Sequence, residues 1–473
     1  MAVIQTDICV IGAGSGGLSV AAGAVQMGAK VVLIEGAEMG GDCLNTGCVP
    51  SKALIAAAKA AQSMRKAGLY GIAAVEPAVD FAAVKDRVHA VIAAIAPVDS
   101  QERFEGLGCT VIRGWARFTS PREVEVAGQR IHARRFVIAT GSRAVVPPIP
   151  GIDGIEVLTN ETIFDLRDRP DHLLILGGGP IGIEMAQAHR RLGCAVTVLE
   201  AGRCLGRDDP EAAALVLARL RAEGVTIAEG AGVVRLRATA NGVEAVLEDG
   251  QVFTGSHLMV AAGRRAAVES LGLEAAGVTQ DARGVTVGPT LRSVSNRRVY
   301  AVGDVAGGMQ FTHLAAYHAG VVIRQIVLGL PARARGDHIP RVTYTDPELA
   351  QVGPTEAEAR AKWGDRLTVT RADFHHNDRA QASGEVEGFA KLMIAKGRVI
   401  GATIVGPQAG EVIAPLALAV TTRMKVSAFA GVVLPYPTLA EIGKRAAGAY
   451  FSPKLFDNAA LKRMVRLVQR VLP

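Results

Sequence analysis

The chain has 473 residues, of which 49% are hydrophobic and 21% are charged. This balance excludes a disordered or fibrous protein, and the length predicts about three domains. The net charge is +7, but Lys and Arg are scattered rather than grouped in blocks, so no nucleic-acid partner is predicted. Six cysteines are too few for a disulfide framework in a chain of this length, which favours a reducing, cytoplasmic compartment.

The first motif lies in residues 7–36, DICVIGAGSGGLSVAAGAVQMGAKVVLIEG. A hydrophobic strand leads through Gly12, Gly14 and Gly17 into a small-residue helix, and a second strand then ends at Glu35. This strand-turn-helix-strand unit is typical of dinucleotide-binding sites, in which the helix N-terminus holds a pyrophosphate and the terminal acid holds a ribose. The glycines also argue against a membrane span in the uncharged residues 8–29.

The same unit recurs in residues 172–202 with identical spacing. Its key residues are Gly177, Gly179, Gly182 and Glu200. From Gly12 to Glu35 is 35 − 12 = 23 positions, and from Gly177 to Glu200 is 200 − 177 = 23. Two such units imply two dinucleotides, most simply a flavin and a nicotinamide.

The choice of nicotinamide depends on the end of the second unit. The Glu200 carboxylate would bond an adenosine 2′-OH and repel a 2′-phosphate, which favours NADH. Arg203 and Arg207 follow closely and would favour NADPH, so NADPH remains the alternative.

The remaining segments are predicted to complete the fold around these units. Short β-runs after Cys109 form an antiparallel meander that ends at Thr140-Gly141, and a similar run ends at Gly263. A strand then leads to a Gly303-Asp304 turn and to a helix from about Thr312. The last third mixes strands and helices and has no nucleotide signature. The predicted fold class is α/β.

Two cysteines lie five positions apart in GGDCLNTGCVPSK, residues 40–52. No second pair of ligands lies near Cys43 and Cys48, so a zinc site is not predicted. A structural disulfide across so short a loop would add little stability. Cys48 precedes Pro50 and a run of helix formers, and the start of a helix stabilises a thiolate. These observations favour a redox-active pair.

Over nearly its whole length the chain resembles the FAD-dependent pyridine nucleotide-disulfide oxidoreductases, which include lipoamide dehydrogenase, glutathione reductase and mercuric reductase. The resemblance is carried by C-x4-C-x-P-S-K, ATG at 139–141, the second GxGxxG, Gly303-Asp304 and YTDPELAQVG. It implies two Rossmann-like domains and a C-terminal α+β dimerisation domain. The implied segments are FAD-binding 1–150, NAD(P)-binding 151–275, central 276–338, dimerisation 339–458 and a basic helix 459–473.

The resemblance also implies the roles of individual residues in a homodimer with a shared active site. Cys48 would face the flavin, Cys43 would meet the substrate, and Lys52 would pair with Glu184 near the flavin. The catalytic set is completed by Tyr436 and Glu441. The implied FAD contacts are Gly12, Gly14, Gly17, Glu35, Gly41, Lys52, Thr140, Gly141, Gly303, Asp304, Thr312 and His313, and the implied nicotinamide contacts are Gly177, Gly179, Gly182, Glu200 and Gly263.

Two residues depart from the pattern of the family. Lipoamide dehydrogenases and glutathione reductases carry a C-terminal His-Pro-Thr-x-x-Glu, whereas this chain has Tyr436 followed by Pro437, Thr438 and Glu441. A phenol with a pKa near 10 carries protons poorly at pH 7. Mercuric reductases have tyrosine here, but this chain has no C-terminal pair of adjacent cysteines and no preceding metal-binding domain. Asp42 lies where most of the family has Thr next to the first cysteine, so the FAD contact of that Thr is not expected in this chain.

We therefore expect a mercuric-reductase-like enzyme that reduces a metal ion or a small disulfide or oxidant with NAD(P)H. Dihydrolipoamide dehydrogenase is the second hypothesis. A slow redox sensor or membrane-peripheral interaction protein is the third. No resident metal site is predicted.

The last residues predict an amphipathic helix with basic side chains on its polar face. Such a helix either contacts an anionic membrane surface or packs on its own protein or on the dimer partner. Its apolar side contains Leu461, Met464, Val465, Val468 and Leu472.

Overall fold

The computed structural model describes residues 3–472. The first segment alternates strands with helices around one sheet. Its elements are β1 Val3–Ile11, α1 Ser15–Gln26, β2 Val31–Glu35, α2 Gly41–Asn45, α3 Cys48–Lys66, α4 Phe81–Asp99, α5 Gln101–Gly106, β3 Thr110–Arg113, β4 Arg117–Ser120, β5 Glu123–Val126, β6 Gln129–Ile138 and β7 Ser142–Ala144.

The second segment repeats the strand-helix alternation and then adds a hairpin sheet. Its elements are β8 Val157–Leu158, β9 His172–Leu176, α6 Pro180–Arg191, β10 Ala195–Glu200, α7 Pro210–Ala222, β11 Thr226–Glu229, β12 Val233–Thr239, β13 Gly242–Leu247, β14 Val252–Gly255, β15 His257–Val260 and β16 Arg264–Ala266. A short segment follows, with β17 Gln280–Asp281, β18 Gly284–Val285, β19 Val299–Ala301 and α8 Thr312–Ile326.

The last segment combines an antiparallel sheet with helices. Its elements are β20 Arg341–Thr343, β21 Glu348–Val352, α9 Glu356–Trp363, β22 Leu367–Asp373, α10 Asp378–Ala382, β23 Phe389–Ala395, β24 Arg398–Gly406, α11 Ala409–Val412, α12 Ala414–Thr421, α13 Val426–Ala430, α14 Glu441–Ala449, α15 Ser452–Phe456 and α16 Ala459–Val471.

The first sheet has the strand order β3-β2-β1-β6-β5-β4. Strands β3, β2, β1 and β6 are parallel, whereas β4, β5 and β6 form the predicted antiparallel meander. The run after Cys109, predicted as part of the meander, is instead the parallel edge strand β3, because it follows helix α5 and returns beside β2. Strand β6 belongs to both parts, since its first half pairs with β5 and its second half with β19.

The second sheet, β11-β10-β9-β15-β8, is parallel throughout, and β12-β13-β14 form a separate antiparallel sheet. The last segment contains the antiparallel sheet β20-β21-β24-β23-β22. These sheets confirm the predicted class of two Rossmann-like units with a C-terminal α+β domain.

Two hydrophobic cores hold the site together. Helices α1 and α8 pack on one face of the first sheet, with Ala21, Ala24 and Val322 buried between them. A second core joins α3 and α4 to the second Rossmann unit and to Leu349 of the last segment. Cys9, Cys109 and Cys194 are buried, as expected of small residues in or beside strands. The position of Cys204 in the loop after Glu200 favours exposure, but Cys204 is also buried because the loop folds back over Gly178.

Candidate functional site

The cysteine pair lies where two short helical segments meet. Cys43 is on α2, and Cys48 is the first residue of α3. The Cys48 Sγ lies 3.3 Å from the Oγ1 of Thr312. Thr312 is the first residue of α8. Cys48 is exposed, and Cys43 is half-buried.

Three helix N-termini converge on this pair. Ser15 begins α1, Cys48 begins α3 and Thr312 begins α8, and none of the three helices has a side-chain cap. The Ser15 and Thr312 hydroxyls both act to lower the pKa of Cys43. Uncapped N-terminal N–H groups carry partial positive charge, so the converging helix ends favour negative charge on a sulfur or on a bound anion.

The two thiols differ in acidity. A hydrogen bond with Cys43 lowers the pKa of Cys48 to about 6, with further lowering by the Thr312 hydroxyl and the Lys52 charge. Burial and the charge of Asp42 act in the opposite direction. The hydrogen bond with Cys48, together with burial, raises the pKa of Cys43. At neutral pH the arrangement therefore holds a Cys48 thiolate beside a Cys43 thiol.

Lys52 connects the cysteine helix to the other segments. Its Nζ lies 3.0 Å from the Glu184 Oε2 on α6 and 4.3 Å from the centre of the Tyr344 ring. The Glu184 Oε1 accepts a hydrogen bond of 2.9 Å from the Tyr344 backbone N–H. Glu184 is buried, so Lys52 is held by a carboxylate that has little access to water. Tyr344 was not predicted as a site residue.

The two dinucleotide units have the same local geometry at their glycines. Gly12 and Gly177 have φ angles of +105° and +113°, which only glycine adopts freely. A Cβ on Gly17 would clash with the Gly12 carbonyl, and a Cβ on Gly182 would clash with the Gly177 carbonyl. The helix starts are therefore held close to the preceding strands. Gly14 and Gly179 are the residues before helices α1 and α6.

The two terminal glutamates also make matching hydrogen bonds. Glu35 accepts from the backbone N–H of Ala13 at 2.5 Å and of Ala37 at 2.7 Å. Glu200 accepts from the corresponding Gly178 at 2.7 Å and Gly202 at 2.8 Å. Each carboxylate thus closes its own glycine turn at the strand end.

A chain of polar contacts leads from Asp304 to the unusual Asp42. Ser142 donates a 2.5 Å hydrogen bond to Asp304, and Arg264 donates to the Ser142 hydroxyl at 2.8 Å. Arg264 also lies 3.3 Å from Asp42. Asn160 donates to Asp42 at 2.9 Å. Burial raises the pKa of Asp304, and the Ser142 hydrogen bond and Arg264 oppose this.

Three other predicted cofactor contacts lie at the junction between the first and second segments. Thr140 donates to the Ala267 carbonyl at 2.6 Å, and the Gly141 carbonyl accepts from Ala267 at 3.0 Å. The Gly263 carbonyl accepts from Val145 at 3.0 Å, which ties the end of the first segment to the end of the second. This contact places Gly263 beside the first segment.

Further predicted contacts lie at the glycine loops and at the start of α8. A Cβ on Gly41 would lie 2.8 Å from the Gly14 Cα. Gly303 donates its N–H to the His318 Nδ1 at 3.2 Å. His313 donates to the Pro340 carbonyl at 2.8 Å.

Tyr436 lies on the loop before α14. Its side chain is 69% exposed, and its hydroxyl donates a 2.8 Å hydrogen bond to Asp378. This hydrogen bond and the Asp378 charge raise the pKa of the phenol. Glu441 begins α14 and accepts from the Thr438 N–H at 3.3 Å. The sequence pattern did not predict Asp378.

Family models match most of the chain. The pyridine nucleotide-disulphide oxidoreductase model matches residues 6–319, and the dimerisation-domain model of the same family matches residues 339–447. The chain belongs to the pyridine nucleotide-disulphide oxidoreductase family. Enzymes of this family depend on FAD and use pyridine nucleotides, and the dimerisation-domain match supports a homodimer.

Individual members of the family are similar over their full length. The mercuric reductase of Streptomyces lividans is 34% identical, with 94% of this chain and 96% of the relative covered. The dihydrolipoyl dehydrogenase of Thermus scotoductus is 36% identical, with 92% and 95% covered. The structure of the HOCl-induced flavoprotein disulfide reductase RclA from Escherichia coli has a TM-score of 0.84 at 28% identity, with 93% and 99% covered.

The first dinucleotide unit fits FAD by its own geometry. The Gly14 and Gly41 backbones lie side by side without Cβ atoms, beside the uncapped start of α1. Backbone N–H groups at such a cradle hold a pyrophosphate. Lys52, Thr312 and the cysteine pair lie together beyond it.

Two further observations concern metal ions and membrane spans. Among residues 3–472, no group of three or more His, Cys, Asp or Glu side chains has the geometry of a metal site. The adjacent residues His375 and His376 lie on a 3-10 turn and are exposed. In the same described range, no helix combines the length and the hydrophobicity needed to cross a bilayer.

Proposed function

We propose that this chain is an NADH-dependent flavoprotein reductase that passes electrons through Cys48 and Cys43 to a metal ion, in the manner of a mercuric reductase. The observation that carries the proposal is the hydrogen bond from Tyr436 to Asp378. A phenol with a raised pKa stays protonated at neutral pH and does not accept a proton from a thiol. A dithiol substrate needs that proton acceptor, whereas a metal ion does not.

We infer that Tyr436 acts at the cysteine pair of the other subunit. Its exposure supports this role, because a side chain that is 69% exposed is accessible to a second copy. It also lies within residues 339–447, which match the dimerisation domain. There the phenol would contribute an oxygen beside a metal ion held by two sulfurs.

The cysteine pair supplies soft ligands of the kind that Hg(II) and copper prefer. Cys48 is exposed. We therefore propose that the ion reaches Cys43 and Cys48 directly. The relatives named mercuric reductase, and the RclA structure described as a Cu(II) complex, support this class of acceptor.

When bound, FAD would relay the two electrons of a nicotinamide to the cysteine pair. The Cys43–Cys48 disulfide takes up two electrons and one proton as its S–S bond breaks, which leaves a Cys43 thiol and a Cys48 thiolate. The Lys52 charge and the helix N-termini then stabilise the Cys48 thiolate. Overall, one NADH yields NAD⁺ and one proton, and its two electrons reduce one Hg(II) to the metal or two Cu(II) ions to Cu(I).

NADH is proposed as the reductant because the Glu200 carboxylate closes the second glycine turn. A carboxylate at this strand end repels a 2′-phosphate. Arg203 and Arg207 are exposed nearby and keep NADPH as the alternative. We propose the cytoplasm as the compartment, because the working cysteine pair needs a reducing supply and the other four cysteines are unpaired.

Dihydrolipoyl dehydrogenase is the second candidate. Relatives with that name are 36% and 33% identical, and Thr438 and Glu441 remain in the C-terminal motif. In this case Tyr436 or water would have to accept the thiol proton.

An acceptor panel on the FAD-loaded dimer tests the proposal. NADH oxidation is measured with Hg(II), Cu(II), lipoamide and glutathione disulfide. We expect metal-dependent oxidation that falls about 100-fold or more in Cys43→Ser, because the serine cannot form the disulfide. Cys109→Ala, which removes a buried thiol far along the chain, is the matched control and should keep the activity.

Two outcomes would overturn the proposal. Rapid lipoamide turnover without metal-dependent oxidation would select dihydrolipoyl dehydrogenase. Reduction of the flavin by NADH with no turnover of any acceptor would select a redox sensor.

A further inference from the structure

The last helix, α16, separates apolar and charged residues onto two faces. It covers Ala459–Val471 and begins at Asn458, whose side chain accepts from the Leu461 N–H at 3.0 Å. At about 100° per residue, the apolar side chains from Ala460 to Leu472 occupy an arc of about 160°. All charged side chains fall on the remaining arc. They are Lys462, Arg463, Arg466 and Arg470.

The apolar face of α16 is not covered by its own chain. Leu461 is half-buried, and every later residue up to Leu472 is exposed. Leu467 and Val471 are 62% and 73% exposed. The preceding residues Leu455 and Phe456 are also exposed. The sequence predicted that this helix contacts an anionic membrane, its own subunit or the dimer partner, and its exposure argues against packing on its own subunit.

The charge of α16 is of one sign. The helix carries four cations and no acidic residue. Lys and Arg beside an apolar face are suited to a surface that presents hydrocarbon bordered by anions. Such a surface is a bilayer that contains anionic lipid.

A second copy of the helix fits this face less well. Two α16 helices packed through their apolar faces would bring together eight cations, four from each copy, without a carboxylate in either helix. Neither helix would supply a counter-charge for these cations, whereas anionic lipid does. The dimerisation-domain match also ends at residue 447, before α16 begins at residue 459.

We propose that α16 binds the surface of anionic membranes, lying in the plane of the interface. Its apolar side chains would enter the boundary of the acyl chains, and its cations would contact lipid phosphates. A helix of 13 residues is about 20 Å long, which is too short to span a bilayer. In a homodimer, two such helices bind together, and the second binding step is favoured by its high effective concentration. The proposal does not depend on the identity of the electron acceptor.

Co-sedimentation with vesicles tests this proposal on the full-length, FAD-loaded protein. Vesicles of phosphatidylcholine alone are compared with vesicles of phosphatidylcholine and phosphatidylglycerol. We expect binding to the anionic vesicles only, weakened by salt of about 1 M, which shortens the range of charge interactions to about 3 Å.

Two neighbouring substitutions distinguish the faces of the helix. Val468→Asp and Gln469→Asp change the net charge by the same amount, but Val468 is on the apolar face and Gln469 is on the polar face. We expect Val468→Asp to lower binding by about tenfold or more, because an aspartate cannot enter the acyl boundary. Gln469→Asp should lower it much less.

Equal loss in both variants, or no binding of the unaltered protein to anionic vesicles, would overturn the proposal. Sedimentation velocity provides the second readout. If Val468→Asp converts dimers to monomers, then α16 is an interface between copies of this chain and the membrane proposal is wrong. Unchanged NADH-dependent activity in both variants shows that the catalytic fold is intact.

Discussion

The hydroxyl of Tyr436 donates a 2.8 Å hydrogen bond to the carboxylate of Asp378, 58 residues earlier in the chain. The family motif usually places a histidine at the position of Tyr436. In this chain the side chain is bound to an acid that makes it a weaker proton donor. Both the tyrosine in place of histidine and the Asp378 carboxylate therefore disfavour proton transfer at neutral pH.

We predict that Asp378→Asn lowers the pKa of the Tyr436 phenol towards the ordinary value of about 10. The amide still accepts the hydrogen bond but removes the negative charge that opposes ionisation. The pKa is measured by ultraviolet titration of Asp378→Asn. Subtracting the titration of the Asp378→Asn, Tyr436→Phe double variant leaves the signal of the Tyr436 phenol alone. Asp373→Asn, which alters an acid paired with Arg371, is the control. An unchanged titration would show that Asp378 does not influence the phenol.

Tyr436→His should increase turnover of dihydrolipoamide, because an imidazole accepts a thiol proton near neutral pH. We expect a gain of about tenfold or more in kcat/KM. The activity is measured as NAD⁺ reduction, and Tyr436→Phe serves as the control that has no proton-accepting group. Equal activity in the two variants would contradict a proton-transfer defect as the reason for slow lipoamide chemistry.

The alkylation rate of Cys48 in the reduced protein should rise with pH, with a midpoint near its pKa of about 6. The rate rises with pH because only the thiolate reacts with iodoacetamide, and the thiolate predominates above this pKa. Lys52→Met should move the midpoint upward by about one pH unit, because it removes a favourable positive charge. Site-resolved mass spectrometry gives the rate at each sulfur.

Lys59→Met provides the matched control for Lys52→Met. Lys59 lies on the same helix and pairs with Glu348 at 3.2 Å, but it is not among the groups that shift the Cys48 pKa. A shift of equal size in both variants would mean that general charge loss, rather than the position of Lys52, sets the acidity.

Asp42→Asn should lower the midpoint pH of Cys48 alkylation. The negative charge of Asp42 raises the pKa of Cys48, so its removal favours the thiolate, opposite in direction to Lys52→Met. Asn keeps an acceptor for Asn160 and Thr46, which limits structural change. An upward shift would indicate that the loss of the Arg264 contact dominates instead.

Glu200→Gln should lower the preference for NADH over NADPH by about tenfold in kcat/KM. The amide keeps one oxygen for the Gly178 or Gly202 N–H but no longer repels a 2′-phosphate. Glu244→Gln, on the hairpin sheet of the same segment, removes an equal charge as the control. An unchanged ratio would assign the choice of nicotinamide to Arg203 and Arg207.

Local pattern in the sequence was sufficient to predict both dinucleotide units. A buried strand, glycines at fixed spacing and a terminal glutamate are all set by neighbouring residues, so Gly12 and Gly177 lie at the predicted turns and the two glutamates lie at the predicted strand ends. The position of Cys48 at a helix start was predicted for the same reason, since Pro50 and the helix formers lie beside it. Lys52 and Glu184 were paired only through the resemblance to the family.

Contacts between distant segments were decided by the tertiary structure alone. Thr312 reaches Cys48 across 264 positions, and Asp378 reaches Tyr436 across 58. The Asp42–Arg264 contact joins two different segments. No local periodicity encodes such pairs, because they arise when hydrophobic cores pack and bring the ends of separate elements together. The sequence determined which residues can do redox chemistry, and packing decided which groups tune them.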